Sequence, residues 1–569
     1  MLDLLLRGGS VITGTGAPAR RADVGVRDGR VVMVGTTDEP ASRVTDVTGL
    51  VVAPGFIDVH THYDAQMLWD PAASPSSLHG VTTVIGGNCG FSIAPLGEGD
   101  AEYIMQMMAR VEGMPIEALK SGPAWDWHSF GEWLDRLDGR VAVNAGFLAG
   151  HSTLRRVVMG DAAVGSTATD GQVETMVRLL HESLAAGALG LSSSLGEAHS
   201  DGDGRPVPSR AADRAEFLAL AGSLRDHAGT SLEFIPAVGE IPLGRMELMA
   251  EMSLAANRPL NWNLLGSMSP TEIYEQQLAA CDLATARGAH VVALALPDVM
   301  RLRASRILDD MPGWKEVAAM SDSERRSAVR DPAVRERLRQ GAATARDSGL
   351  GAVSRFDLVE VAEAPDASLV GRTVAAIAED RGMDGIDVLI DLVLPDRLPL
   401  TLVLPTLVPS LGNSDEGWVA RAQVWRDPRV VLGGSDAGAH LDIMCHANYP
   451  TVVLGEAVRE RGLLTLEEAV RLMTDVPARL YGLRERGRVE EGWQADLVVF
   501  DPDRIASDPA ATRWDLPGGG YRLYAEAVGV AQVLVGGVAV VVEGALTGDA
   551  PGTVLRSGVD TETVTVPGG

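Results

Sequence analysis

Cysteine is scarce: Cys89, Cys281 and Cys445 are the only three in 569 residues. They are too few and too scattered for a disulfide framework, which points to a reducing, cytoplasmic setting. Positive charge is also short, with 49 Lys and Arg against 77 Asp and Glu, a formal net charge of -28. That balance argues against a nucleic-acid or anionic-membrane surface and favours a small-molecule partner. No apolar run is long enough to span a bilayer: the longest Val-rich stretch, Ala527 to Val542, has 16 residues and is interrupted by Gly529, Gly536 and Gly537. A β-hairpin is expected there. The opening Met1-Leu2-Asp3 puts an acid where a signal peptide has a basic flank, so no export signal is expected.

What is present is ordinary globular material, 46% hydrophobic and 22% charged. The chain can hold a large core without disulfides or metal. Nothing in this composition addresses self-association, and a homo-oligomer stays open.

Residues 1–53 read as short strands, Leu4-Leu5-Leu6, Val11-Ile12, Asp23 to Arg27 and Val31 to Val34, with Asp28-Gly29 as a turn. Residues 485–569 repeat the style in Asp496 to Phe500 and Val533 to Val542. The two termini are expected to share one small β-sandwich, since each half alone leaves an apolar face exposed. Residues 54–484 change to repeated apolar strand, turn and amphipathic helix, the pattern of parallel βα units. Eight strands are predicted: 55–60, 81–86, 141–148, 188–192, 231–235, 259–264, 290–296 and 430–432. The fold class is therefore α/β, a (β/α)8 TIM-like barrel with its chemistry just after the strands. The charged piece 301–341, with a helix opening at Asp331-Pro332, reads as an insertion after strand seven, either a lid or a solvated spacer.

The strongest signal is Gly55-Phe56-Ile57-Asp58-Val59-His60-Thr61-His62, a strand ending in two histidines spaced i, i+2. In a strand that spacing points both imidazoles the same way, and imidazole is the commonest zinc ligand. Strand two ends in Gly86-Gly87-Asn88-Cys89-Gly90, so a thiol stands at the same rim. Alone Cys89 would read as an inert buried thiol; beside His60 and His62 it reads as a ligand. Strand eight leads into Gly434-Ser435-Asp436-Ala437-Gly438. Asp436 there is either a metal ligand and proton carrier for hydrolysis or a helix cap.

These segments resemble the metal-dependent amidohydrolase superfamily, in its N-acyl-D-amino-acid deacylase (D-aminoacylase) branch. Gly150-His151-Ser152-Thr153-Leu154-Arg155, Gly187 to Ser192 and Gly487 to Val498 extend the resemblance over nearly the whole chain. It implies a zinc hydrolase of an amide C-N bond in N-acyl-D-amino acids, with Asp436 as general acid/base. Cyclic amides or imides are alternative substrates, and a non-catalytic binding barrel is the alternative of another class. The family's strands five and six each supply a further histidine. This chain has Glu233 in strand five, and Asn261 and Asn263 in strand six. Glu233 could ligate, but Asn is a poor zinc donor, so one tight zinc is expected with a second weak or absent. His151 and His199, read as loop residues, and Arg155 and Arg210 are the expected substrate contacts, an Arg fork suiting a substrate carboxylate. His440 and His446 are expected to be structural.

Overall fold

The computed structural model describes residues 1–266, 272–296, 299–304, 312–345, 355–394, 401–404, 407 and 409–567. Successive side chains of a strand face opposite ways, and this accounts for the terminal sheet. Leu497 and Val499 enter one core with Leu4, Leu6, Val24 and Val52, while Val498 and Phe500 enter the core of the parallel strands. Both faces are covered, so the segment reads as an unbroken apolar run. Nine strands make this sheet. Leu2–Val11, Arg20–Arg27, Arg30–Gly35, Ala41–Asp46 and Val51–Pro54 come from the start; Leu497–Phe500, Val530–Val535, Val538–Val542 and Ala545–Leu546 come from the end. The halves join where Val51–Pro54 runs antiparallel to Leu497–Phe500.

The expected stretches Leu4-Leu5-Leu6 and Val11-Ile12 belong to one strand, Leu2–Val11, whose register shifts between Leu6 and Gly9. Gly8 sits there at φ +79°. The hairpin predicted in Ala527 to Val542 is present, turning at Gly536 and Gly537 with φ of +53° and +75°. Positive φ at both central residues suits the twist of the flanking strands.

The parallel strands form two sets in a mixed α/β unit. Phe56–Asp58, Val81–Gly86 and Asn144–Phe147 make one; Ala149–Gly150, Gly190–Ser194, Ser231–Ile235, Leu260–Trp262, Val291–Ala295 and Val430–Leu432 make the other. The third predicted strand, 141–148, is thus displaced and divided at Leu148, whose N–H reaches the Gly86 carbonyl at 2.9 Å. At the other side Thr61 bridges Ala437 in parallel fashion. Ile57, Ile85, Leu148, Leu189, Val292, Leu294 and Val431 converge on one core. Their alternate neighbours, such as Val84, Ala149 and Ala293, pack into the larger core.

The insertion expected at 301–341 is the first part of a larger unit, and 305–311 lie outside the described residues. Met300–Arg303 and Glu360–Glu363 pair antiparallel on either side of Thr401–Leu404. Trp314, Leu338, Val361, Ile377, Leu389 and Leu402 give this unit a core of its own, so a solvated spacer is ruled out for it. Pro332 opens the helix Pro332–Ala345 as expected. Among the described residues no helix is long and apolar enough to cross a membrane.

Candidate metal centre and active site

His60, His62, Cys89 and Asp436 meet just beyond the C-terminal ends of three parallel strands. The meeting is fixed by backbone: His62 N–H donates to Ala437 O at 2.7 Å, Asp436 N–H to His60 O at 3.2 Å, and Thr61 N–H to Ile85 O at 3.0 Å. Cys89 and Asp436 sit at φ +57° and +52°, in the left-handed region. Such conformations cost energy in residues other than glycine and concentrate at functional sites. Gly438, at φ +90°, lets the strand-eight loop close over His62; a Cβ there would lie 2.8 Å from the His62 backbone.

Donor atoms of His60, His62 and Cys89 all lie within 4.8 Å of one another. Cys89 Sγ is 3.3 Å from His60 Nε2 and 3.8 Å from His62 Nε2. Asp436 Oδ1 approaches the same two nitrogens, at 3.2 and 3.7 Å. Zinc bonds of about 2.0–2.3 Å in tetrahedral geometry put neighbouring ligand atoms roughly 3.3–3.6 Å apart, so these spacings fit one ion. The electrostatics fit as well. Asp58, Asp64, Glu112 and Glu233 are buried around the trio, and among the described residues no Lys or Arg pairs with any of them. The atoms Glu112 Oε1, Glu233 Oε1, Asp64 Oδ1 and Asn263 Oδ1 are buried without a hydrogen-bond partner among the described residues. Carboxyls buried together without a cation either keep their protons or take a counter-ion, and a metal ion at the trio would serve as one.

Burial, followed by the charges of Glu233, Glu112, Asp436 and Asp64, holds the Cys89 thiol well above its ordinary range. A cation reverses that penalty. Burial alone would lower His62, but Glu112 and Asp436 overcome it and raise the imidazole to about 9. Burial works against the Asp436 carboxylate, yet its contacts with His60 and His62 hold it well below the usual range.

Glu233 stands behind His60. Its Oε2 accepts the Cys89 N–H at 2.8 Å and its Oε1 is 3.8 Å from His60 Nδ1, on the ring edge opposite the nitrogen that faces Cys89 and Asp436. Carboxylates in this place typically orient a metal-binding imidazole. Burial pushes Glu233 up to about 8. Asn263 reaches His60 Nε2 at 3.2 Å through its amide nitrogen, while Asn261 is engaged with Tyr481 at 3.1 Å.

Two expected substrate contacts are engaged within the protein. Arg155 is fully buried; it is held by both oxygens of Glu216 and by the Ser166 carbonyl, so its fork is already occupied. His151 is the first residue of the helix His151–Met159 and not a loop residue; Ser193 Oγ at 2.8 Å and Glu216 Oε1 at 2.7 Å occupy both ring nitrogens. Arg210 donates to the carbonyls of Glu197 and His199, bracing their loop from behind. His199 remains at the mouth, with Nδ1 2.8 Å from Ser194 Oγ and its ring edge-on to Phe91 at 5.2 Å. Burial, then the charges of His440 and His62, lower it to about 3.

Sequence reasoning missed Asp58, Asp64 and Glu112. Asp58 lies inside the Asp-Val-His-Thr-His motif and accepts from Ser435 Oγ; its signal was there to be used. Asp64 accepts the Gly87 N–H at 2.9 Å and so steadies the Cys89 loop.

These groups set a pH dependence for metal-free protein. Burial raises Asp58 to about 7 and Glu233 to about 8, and His62 stands at about 9. Unfolded carboxyls titrate near about 4 and imidazole near about 6.5. Between pH 7 and 9 only the folded chain gives up these protons, so it is the proton-richer state and stability falls as pH rises. The melting temperature of chelator-treated protein is expected to drop across that window, and zinc to flatten the drop. A melting temperature of the metal-free form that holds level from pH 7 to 9 would refute the assignment.

Comparison with known proteins agrees with the geometry. The amidohydrolase family profile matches residues 43–541. D-aminoacylase of Alcaligenes xylosoxydans xylosoxydans is 31% identical over 559 residues, covering 97% of each chain. A solved D-aminoacylase, described with a binuclear metal centre, superposes with a TM-score of 0.65 at 28% identity over 98% of this chain and 100% of that one. The N-acyl-D-glutamate deacylase of Bordetella bronchiseptica, solved with zinc and a phosphonate mimic of the tetrahedral intermediate, gives a TM-score of 0.66 at 26% identity, covering 98% and 100%. With the family profile spanning most of its length and its histidine, cysteine and aspartate donors gathered at one rim, the chain belongs to the amidohydrolase family.

Proposed function

We propose that this protein is a metal-dependent hydrolase that deacylates N-acyl-D-amino acids. The observation that carries the reading is the convergence of His60, His62, Cys89 and Asp436 at zinc-compatible spacing inside a buried acidic shell. The D-aminoacylase and N-acyl-D-glutamate deacylase relatives support the substrate class. The framework of the proposal is a closed (β/α)8 barrel over residues 54–484 with a β-sandwich from 1–53 and 485–569.

His60 and His62 would hold the ion through Nε2, with Cys89 Sγ beside them. When bound, the metal supplies Lewis acidity toward the amide carbonyl and lowers the pKa of water. Asp436, at the open side of the imidazole pair, accepts the proton of the attacking water and delivers it to the leaving nitrogen. Glu233 lies 3.8 Å from the Nδ1 edge of His60, on the side of the ring away from Cys89 and Asp436. His199, hydrogen-bonded at Nδ1 with Ser194, leaves Nε2 for a substrate contact.

A panel of N-acyl-D-, N-acyl-L- and cyclic substrates tests the reading. Turnover of N-acyl-D-amino acids, lost with chelator and regained with zinc, is expected. Zinc-loaded protein inert toward every N-acyl-D-amino acid would overturn it, and preference for a cyclic amide would redirect it. Cys89 has its own test: cobalt-substituted protein should show a thiolate-to-metal charge-transfer band that Cys89→Ser removes. An unchanged band in the variant would take Cys89 out of the ligand set.

A further inference from the structure

We propose that Glu112 is a metal ligand of this centre, standing in for the imidazoles that strands five and six do not carry. The inference rests on the metal-centre reading above and adds a donor from outside the parallel strands.

Glu112 follows the helix Ala101–Val111 as its C-cap, its N–H closing on Met108 O. That is a costly place for a carboxylate: the helix end carries partial negative charge, and Glu112 is only 2% exposed. The basic residue of the last turn, Arg110, is exposed to solvent. Among the described residues no Lys or Arg pairs with Glu112; its ion-pair partner is His62, with Oε2 3.5 Å from Nε2. Oε1 is buried, with no hydrogen-bond partner among the described residues. An acid with three reasons to be unstable there is held in position by its backbone. The Glu112 carbonyl accepts the His440 N–H. Gly113 follows at φ +58°, packed so that a Cβ would lie 3.2 Å from His440 Cα. The helix end is thereby pinned to the loop that carries Asp436, and the carboxylate is delivered to the same Nε2 that Cys89 and Asp436 approach. The 3.5 Å separation is the edge length between two ligands of one zinc ion.

Glu112→Gln keeps the shape and removes the charge, which separates a ligand from a structural acid. Zinc affinity is read by competition with a chromophoric chelator, and the melting temperature of the metal-free form is read alongside. A ligand role predicts affinity lower by roughly 10–100-fold or more, at least the loss seen for partners outside the coordination shell. The metal-free melting temperature reports whether the variant is folded, because Gln keeps the side-chain volume while the contact with His62 loses its charge. Glu102→Gln, on the exposed face of the same helix, should change neither. Unchanged affinity in Glu112→Gln overturns the proposal. If Glu112→Gln does not fold, Glu112→Asp should fold and bind zinc with reduced affinity; wild-type affinity in that variant overturns the proposal. Wild-type protein that holds no zinc would overturn the metal-centre reading itself, a failure distinct from that of Glu112.

Discussion

Replacing His60 and His62 together by alanine is expected to remove the tightly held zinc and to lower kcat/KM by at least about 1000-fold. Lewis acidity at the reacting carbonyl is worth several kcal/mol, and each 1.36 kcal/mol is about tenfold in rate. The two imidazoles are shared by every close approach in the centre: Cys89 Sγ and Asp436 Oδ1 both face them. Their loss leaves a thiol and carboxylates that repel one another. Zinc retained after dialysis against metal-free buffer is the direct measure, with one equivalent expected in wild type and none in the variant. Two equivalents in wild type would mean that Glu112, Glu233 or Asp64 completes a second position. Full zinc retention in the double variant would place the site elsewhere. Should the double variant misfold, His62→Gln keeps the volume and is expected to show the same direction of metal loss.

The features legible in the sequence were those whose partners lie close in the chain. His60 and His62 announce themselves because a two-residue step in a strand aligns them, and Cys89 because its glycine neighbours put it at the end of a strand. Glu112 gave no such signal. It stands at the end of an ordinary amphipathic helix, where acids usually face water, and only the contact of its carbonyl with His440, 328 residues later, turns it inward. Arg155 misled for the converse reason. Its place after strand three suits a substrate clamp, but Glu216 is 61 residues away in sequence and claims the guanidinium first. The insertion was seen where it is charged, before residue 342, and missed where its helix Gly385–Val393 is as apolar as any helix on a barrel. Periodicity reports that a face is buried, not which core buries it.

Asp436→Asn is expected to retain much of the zinc and to lose roughly 100- to 10,000-fold in kcat/KM, the usual contribution of a positioned acid or base. Three observations make this substitution informative. The amide has the shape of the carboxyl, so the contacts to His60 and His62 at 3.2 and 3.7 Å are replaced in kind. Residue 436 sits at φ +52°, a conformation that asparagine adopts more readily than most residues, so the backbone is undisturbed. The trio of His60, His62 and Cys89 does not need the carboxylate in order to stay within 4.8 Å. What the variant loses is a group able to take and return a proton. The carboxyl is held well below its usual range by the two imidazoles, against the effect of burial, so it stays ionised and able to accept a proton throughout neutral pH. A substrate with a better leaving group, such as the ester analogue in which the acyl group sits on the oxygen of the matching D-2-hydroxy acid, needs less help at the leaving atom. It should therefore recover part of the lost rate in Asp436→Asn. Equal losses for both substrates, together with a matching loss of zinc, would reduce Asp436 to a ligand and leave proton transfer to another group at the mouth, with His199 the first to examine.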